Sequence, residues 1–237
     1  MQIFYSEKIN ENEALLTADE AGHCSRVLRK RVGDAIYVTD GKGKLYISTI
    51  AELSKKEVVL HDLVLEESQA EVSNLTIAIA PTKNIARFEW FLEKATEIGI
   101  KAIIPIITKR SERKIIKLER CQKILLSAMK QSKNLYLPEL HDLVKFDQFL
   151  NLDSIPRKRY IAHCMEPEKH LSVIYNATEE GIVMIGPEGD FTADELDLCK
   201  QNEWQEVSLG PSRLRTETAG IVATHTVSMV KQGLALK

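Results

Sequence analysis

From residue 75 onward, five short apolar runs constrain the fold more than any other feature of the chain: LTIAIA (75–80), AIIPII (102–107), RYIAHC (159–164), GIVMIG (181–186) and EVSLG (206–210). Segments with helical periodicity separate most of them. Phe88, Phe91, Leu92, Ala95 and Ile98 recur at helical spacing and close on Gly99, a C-terminal cap; Leu118, Cys121, Leu125 and Ala128 mark a second helix. Buried strands alternating with helices predict βαβ units and a mostly parallel sheet. In such sheets ligands bind beyond the carboxyl ends of the strands.

The chain begins differently. Ala35–Val38 and Leu45–Thr49 alternate in polarity around DGKGK (40–44), a Gly-rich hairpin turn, and EVVLHDLVL (57–65) is a further strand. Several short strands in so short a stretch predict a small β-barrel. GKGK lacks the spacing of a phosphate loop and no helix follows it, so it reads as a plain turn. The polar stretch EESQAEVSN (66–74) reads as a linker. With 237 residues the chain is long enough for two modest domains, here 1–68 and 74–237.

Composition excludes several classes. The four cysteines are scattered and read as reduced thiols, consistent with a cytoplasmic protein. The histidines lack ligand spacing, so no metal is expected. No continuous apolar region opens the chain and no run approaches the ~20 residues needed to cross a bilayer, so neither a signal peptide nor a membrane contact is expected. A net charge of −2 makes the whole molecule no nucleic-acid ligand by charge alone. Two local patches qualify instead. RVLRKR (26–31) has four basic residues in six, and residues 109–123 hold seven basic residues against Glu112 and Glu119. Such runs are commonly solvated faces; two in one mildly acidic chain favour phosphate contact.

Two of the strands end alike. GIVMIGPEGDF runs through Gly186-Pro187-Glu188-Gly189 toward a helix, with Thr192 and Glu195 at capping-box spacing. EVSLGPSRLRTETAG runs through Gly210-Pro211 and a polar loop toward a helix that Thr216 is expected to cap. Ala219, Val222, Ala223, Thr226 and Val230 share one face of that helix. Glycine permits close approach to the backbone, and proline fixes chain direction. Two such corners side by side would hold a flat heterocycle between main-chain groups. No GxGxxG follows a strand, so a Rossmann-type site is not indicated.

IGPEGDF and SLGPSRLRTETA resemble the paired C-terminal motifs of the 16S ribosomal RNA uracil-N3 methyltransferase family, within the SPOUT superfamily of knotted methyltransferases. Residues 81–105, 128–140 and 23–34 are similar to three further segments of that family, so the resemblance covers nearly the whole chain. Asp190 stands where the family usually has a second glycine, and Lys133-Asn134 where an arginine is common. The resemblance implies a PUA-like, RNA-contacting barrel followed by an α/β domain with a deep trefoil knot. It also implies S-adenosylmethionine as cofactor, 16S rRNA in the small ribosomal subunit as partner, and a homodimer.

On that basis the cofactor-binding candidates are Ile185, Gly186, Pro187, Glu188, Gly189, Leu209, Gly210, Leu214 and Thr218. Arg215 is the candidate for stabilising charge on a uracil that has lost its N3 proton. Glu217 either takes that proton, positions the ring, or complements the helix start. Arg26, Arg29, Arg110, Arg113 and Arg213 are the candidates for binding RNA. His163 either lines the pocket or is an ordinary strand-end histidine. Two other readings remain open at this level: a related enzyme acting on a ribose 2′-hydroxyl, and an RNA-binding module without catalysis.

Overall fold

The computed structural model describes residues 2–70, 73–165 and 169–234. They form two compact units: Met1–Glu71 with Leu126–Leu137, and Val72–Leu125 with Pro138–Lys237.

The first unit is a six-stranded sheet of β1 (Ile3–Tyr5), β2 (Lys8–Ile9), β3 (Glu13–Thr17), β4 (Ala35–Thr39), β5 (Lys44–Leu53) and β6 (Glu57–Ser68). The strands lie in the order β1-β4-β5-β6-β3-β2, so the sheet curls into a half-barrel whose path ends at β1 and β2. Alternation along β3, β4 and β6 turns Leu16, Ile36, Val38, Val58 and Leu60 inward, where they pack with Phe4, Cys24 and Ile50. A short helix α1 (Ala18–Gly22) continues into a π-turn at His23–Val27. β6 extends three residues past the expected strand end at Leu65, into the stretch read as linker; residues 71 and 72 of that stretch lie outside the described residues.

The hairpin turn does more than reverse the chain. Gly41 and Gly43 hold φ of 69° and 96°, which glycine adopts without strain. A Cβ on Gly43 would come within 2.6 Å of the Tyr136 ring and 2.7 Å of the Gln69 carbonyl oxygen. That vacancy admits a later segment of chain. Gly43 N–H donates to Leu135 O at 3.0 Å, and Leu137 N–H to Gly41 O at 2.9 Å. These bonds, with the Lys130–Glu20 ion pair, seat Leu126–Leu137 in the first unit.

The second unit is a parallel sheet of β7 (Leu75–Ile79), β8 (Ala102–Ile107), β9 (Glu139–Leu140), β10 (Val144–Lys145), β11 (Lys158–Ala162), β12 (Gly181–Ile185) and β13 (Gln205–Val207). The order is β10-β8-β7-β12-β11-β13, with β9 also paired to β8. Every residue of β7 and β12 is buried, as the unbroken apolar runs require of strands covered on both faces. Around the sheet lie α2 (Ile85–Ile98), the first half of α3 (Leu118–Ser132), α4 (Phe146–Leu150), α5 (Leu171–Ile174), α6 (Ala193–Gln201) and α7 (Thr216–Lys231). Gly99 terminates α2 at φ 100°, its N–H donating to Ala95 O at 3.1 Å. The capping box of α6 forms: Glu195 N–H donates to Thr192 Oγ1, and Thr192 N–H to Glu195 Oε2.

α7 departs from its expected face. The buried residues are Thr216, Glu217, Gly220, Ala223, Thr224 and Val227, so of the expected set Ala223 alone is buried. The helix is rolled toward its smallest side chains because it lies on α2, β7 and β12. A Cβ on Gly220 would come within 2.6 Å of the Phe91 ring and 3.1 Å of Ile79. Thr224 tolerates burial because its hydroxyl donates to Gly220 O at 2.8 Å. Gly220→Ala tests this packing. Helix propensity favours the change by up to about 1 kcal/mol. Overpacking against the fully buried Phe91 outweighs it, and urea denaturation should show a net loss of about 1–3 kcal/mol.

Candidate functional site

The strand order places the exits of β11, β12 and β13 side by side, and there a cavity of about 760 Å³ opens. Three stretches wall it: 162–164 after β11, 185–188 with Asp190 after β12, and 208–216 with Ala219 after β13. Both Gly-Pro corners therefore face one space, of a volume suited to a small-molecule ligand.

Each corner is held locally. In the first, Asp190 N–H closes a turn onto Pro187 O at 2.9 Å. Gly186 lies under Phe191, whose ring would be 3.0 Å from a Cβ at that position. Glu188 Oε1 accepts from Lys83 N–H at 2.9 Å, which ties the corner to the exit of β7. In the second, Gly210 takes φ 126°, a value that favours glycine, and its N–H donates to Ser208 Oγ at 3.1 Å. The two corners are also linked to each other. Thr216 Oγ1 donates to Gly186 O at 3.1 Å. Thr216 was expected to cap α7; Arg215 occupies the cap position instead, and the Thr216 hydroxyl is spent across the sheet edge.

Asp190 has a role that its sequence position does not announce. It sits at φ 61°, a left-handed conformation that aspartate tolerates better than most residues. Its carboxylate accepts from Cys164 N–H at 2.9 Å and from Phe191 N–H at 2.8 Å, so it fastens the β11 exit to the β12 corner. His163 also lines the cavity. Its side chain is nearly fully buried, its Nε2 is 2.9 Å from Glu206 Oε1, and its Nδ1 accepts from Met165 N–H at 3.1 Å.

Of the candidate cofactor residues, Ile185, Gly186, Pro187, Glu188, Leu209, Gly210 and Leu214 line the cavity. Gly189 and Thr218 lie beside it without lining it. Arg213 and Arg215 are exposed on its wall. Glu217 is not on the wall. It is buried, its Oε1 is 3.7 Å from Arg87 Nε on α2, and its Oε2 has no hydrogen-bond partner. Arg26 and Arg29 are exposed in the first unit, Arg29 at φ 53°. Arg110 and Arg113 spend guanidinium groups on main-chain carbonyls of the second unit. The contacts of Asp190, Cys164, Lys83 and Arg87 escaped the sequence reading, because their partners are main-chain groups or residues distant in sequence, although Lys83 and Arg87 fall in the family-like stretch 81–105. The available hint was an aspartate standing where a glycine is usual. Among the described residues no cluster of His, Cys, Asp or Glu could hold a metal ion, and no helix is long and apolar enough to cross a membrane.

Comparison with known proteins assigns the class first. A family profile described as RNA methyltransferase domain matches residues 68–228, and one described as RNA methyltransferase PUA domain matches residues 16–63. The ribosomal RNA small subunit methyltransferase E of a Synechocystis strain is 31% identical over 228 residues, covering 94% of this chain and 75% of that protein. Among solved structures, a probable rRNA-methyltransferase from Porphyromonas gingivalis superposes with a TM-score of 0.86 at 36% identity, covering 98% of this chain and 99% of that one. The Neisseria gonorrhoeae ribosomal RNA small subunit methyltransferase E, solved bound to S-adenosyl methionine, has a TM-score of 0.80 at 29% identity over 94% of this chain and 95% of that one. The chain belongs to the ribosomal RNA small subunit methyltransferase E family.

One test needs no ligand. Cys24, Cys121 and Cys199 are buried, whereas Cys164 is exposed at the cavity. Partial burial and then the Asp190 carboxylate raise the Cys164 thiol above its ordinary value, with Arg213 opposing in part. A raised pKa leaves less thiolate at a given pH. Native-state alkylation should therefore modify Cys164 first, more slowly near pH 8 than an unhindered thiol, and accelerate as pH rises through its pKa. Peptide mass spectrometry reads both outcomes.

Proposed function

We propose that this chain transfers a methyl group from S-adenosylmethionine to N3 of a uracil in 16S rRNA. The observation that carries the reading is the convergence of two Gly-Pro corners on one cavity that also presents Arg213 and Arg215. Family membership and the S-adenosylmethionine bound to the Neisseria relative support it. In this reading residues 1–68 are a PUA-like RNA-binding domain and 74–237 a knotted methyltransferase domain. The enzyme acts as a homodimer in the cytoplasm on the small ribosomal subunit.

The residues present fit such a cofactor. The corners offer main-chain groups around Gly186 and Gly210, the latter with open space where a Cβ would stand, and Ile185, Leu209 and Leu214 supply apolar walls. Bound there, S-adenosylmethionine supplies an electrophilic methyl carbon, so the protein's task is alignment and charge control. Uracil N3 is protonated at neutral pH and becomes a good nucleophile as that proton leaves. Arg215 offers a permanent cation at the cavity wall, where it stabilises negative charge developing on the flanking carbonyl oxygens. Arg213 on the same wall suits a backbone phosphate or the base itself. Of the roles open to Glu217, its burial against Arg87 off the wall supports anchoring the first turn of α7. Arg26 and Arg29 add exposed positive charge for RNA on the first unit. The target base must leave its stack to present N3.

Two measurements check the reading. Small subunits from a strain lacking the gene, incubated with purified protein and labelled S-adenosylmethionine, should gain one methyl on a uracil N3 by nucleoside mass spectrometry. A methyl on a ribose oxygen rejects the acceptor assignment. Arg215→Ala should bind S-adenosylmethionine nearly as wild type in calorimetry yet transfer about 10²–10³-fold more slowly; wild-type turnover would remove Arg215 from the mechanism.

A further inference from the structure

The basic stretch after β8 is read from sequence as an RNA patch, yet two of its arginines turn toward the protein's own backbone. Arg110 Nη1 donates to Gly189 O at 2.7 Å and to Phe191 O at 3.3 Å. Its aliphatic stem lies over Gly189, where a Cβ would sit 3.3 Å from both Arg110 Cβ and Cδ. Arg113 Nε donates to Thr82 O at 2.9 Å and Nη2 to Lys83 O at 2.6 Å. Lys83 N–H is the donor that holds Glu188 Oε1 on the cavity wall.

The stretch is itself firmly seated. Thr108 and Ser111 are buried, with Thr108 N–H donating to Ser111 Oγ at 3.0 Å and Ser111 N–H to Thr108 O at 3.2 Å. Lys109 N–H donates to Glu195 Oε1 at 2.8 Å, and Lys109 Nζ pairs with Asp194 at 2.7 Å, which fixes the stretch to the start of α6. Two guanidinium groups thus reach from this seated stretch, one to the first Gly-Pro corner and one to the β7 exit whose Lys83 N–H holds Glu188.

We propose that Arg110 and Arg113 are positioning residues for the cofactor corner, holding Glu188-Gly189 in the conformation that receives the ligand. This rests on the cavity binding S-adenosylmethionine. The physical reason is preorganisation. Glu188 and Gly189 are exposed, and the backbone turn that carries them is closed by the bond from Asp190 to Pro187, so the Gly189 carbonyl and the Glu188 carboxylate find their partners outside that turn. A corner of this kind left unclamped orders only when ligand binds, and that ordering subtracts from affinity. Charge-assisted bonds from the two arginines set the order beforehand. The role differs from contact with RNA phosphate in what it leaves unchanged.

The test compares wild type with Arg110→Ala, Arg110→Lys and Arg113→Ala. Three quantities are read: S-adenosylmethionine affinity without RNA by calorimetry, the KM of each substrate, and the salt dependence of binding to a 16S rRNA fragment. Positioning predicts that each alanine variant loses about tenfold in cofactor affinity and raises the cofactor KM in step, with RNA affinity and its salt slope unchanged. Arg110→Lys, which keeps a cation but loses the fork, should recover part of the affinity. Phosphate contact predicts the opposite: unchanged cofactor affinity, a salt slope smaller by about 1, and RNA binding restored by lysine. A lowered melting temperature with wild-type cofactor affinity makes the arginines merely structural and equally overturns the proposal. If the wild-type chain binds no S-adenosylmethionine, the functional reading fails as well; if it binds and the variants match it, only the positioning role fails.

Discussion

In a parallel sheet every carboxyl end lies on one edge. In this protein that edge is where β11, β12 and β13 discharge three loops within reach of one another. The cavity follows from the direction of the strands rather than from any one residue. β12 lies between β7 and β11, and its five residues are wholly buried. Of the three exits that wall the cavity the β11 exit is the middle one, so the Gly-Pro corners after β12 and β13 stand on either side of it. Main-chain pairing fixes how far apart the exits can be, since adjacent strands in a sheet are about 4.8 Å apart. The spacing of the three exits is thus maintained by the sheet itself.

The loops need more than proximity, and side chains supply it. Lys83 N–H holds Glu188 from the β7 side; Asp190 fastens the corner to Cys164 on the β11 side; Thr216 ties the start of α7 to Gly186. Each of these is one hydrogen bond, modest in net worth at about 1 kcal/mol. Together they remove the alternatives open to a glycine-containing turn. α7 completes the arrangement from beneath. Its small buried residues allow close packing on α2 and β7, which places Arg215 at the cavity rim and Glu217 against Arg87.

Periodicity and spacing made much of this legible. Gly99 ends α2 because only a residue free at positive φ closes that helix so tightly, and the Thr192–Glu195 spacing forms the capping box it signals. The apolar runs become parallel strands within three residues of their expected bounds. Reading failed where a partner far along the chain decides the outcome. The buried face of α7 is chosen by Phe91 and Ile79, so Gly220 is inside and Val222 is only half-buried. Thr216 has the composition of a cap but bonds to a carbonyl thirty residues earlier. The guanidinium groups of Arg110 and Arg113 likewise bond to carbonyls of the β12 corner and of the β7 exit, partners that no local pattern announces.

The amino-acid sequence by itself determined the alternation of strand and helix, the curled β unit ahead of it, and two Gly-Pro corners at strand ends. These are local properties, set by side-chain period and by the torsional freedom of glycine and proline. Only the tertiary structure decided that both corners wall a single cavity, that Asp190, Thr216 and the arginines after β8 bind main-chain atoms, and that Leu126–Leu137 joins the hairpin glycines of the first unit. The reason is that a hydrogen bond depends on distance and angle between atoms, and those are settled only after strand order has brought remote stretches together.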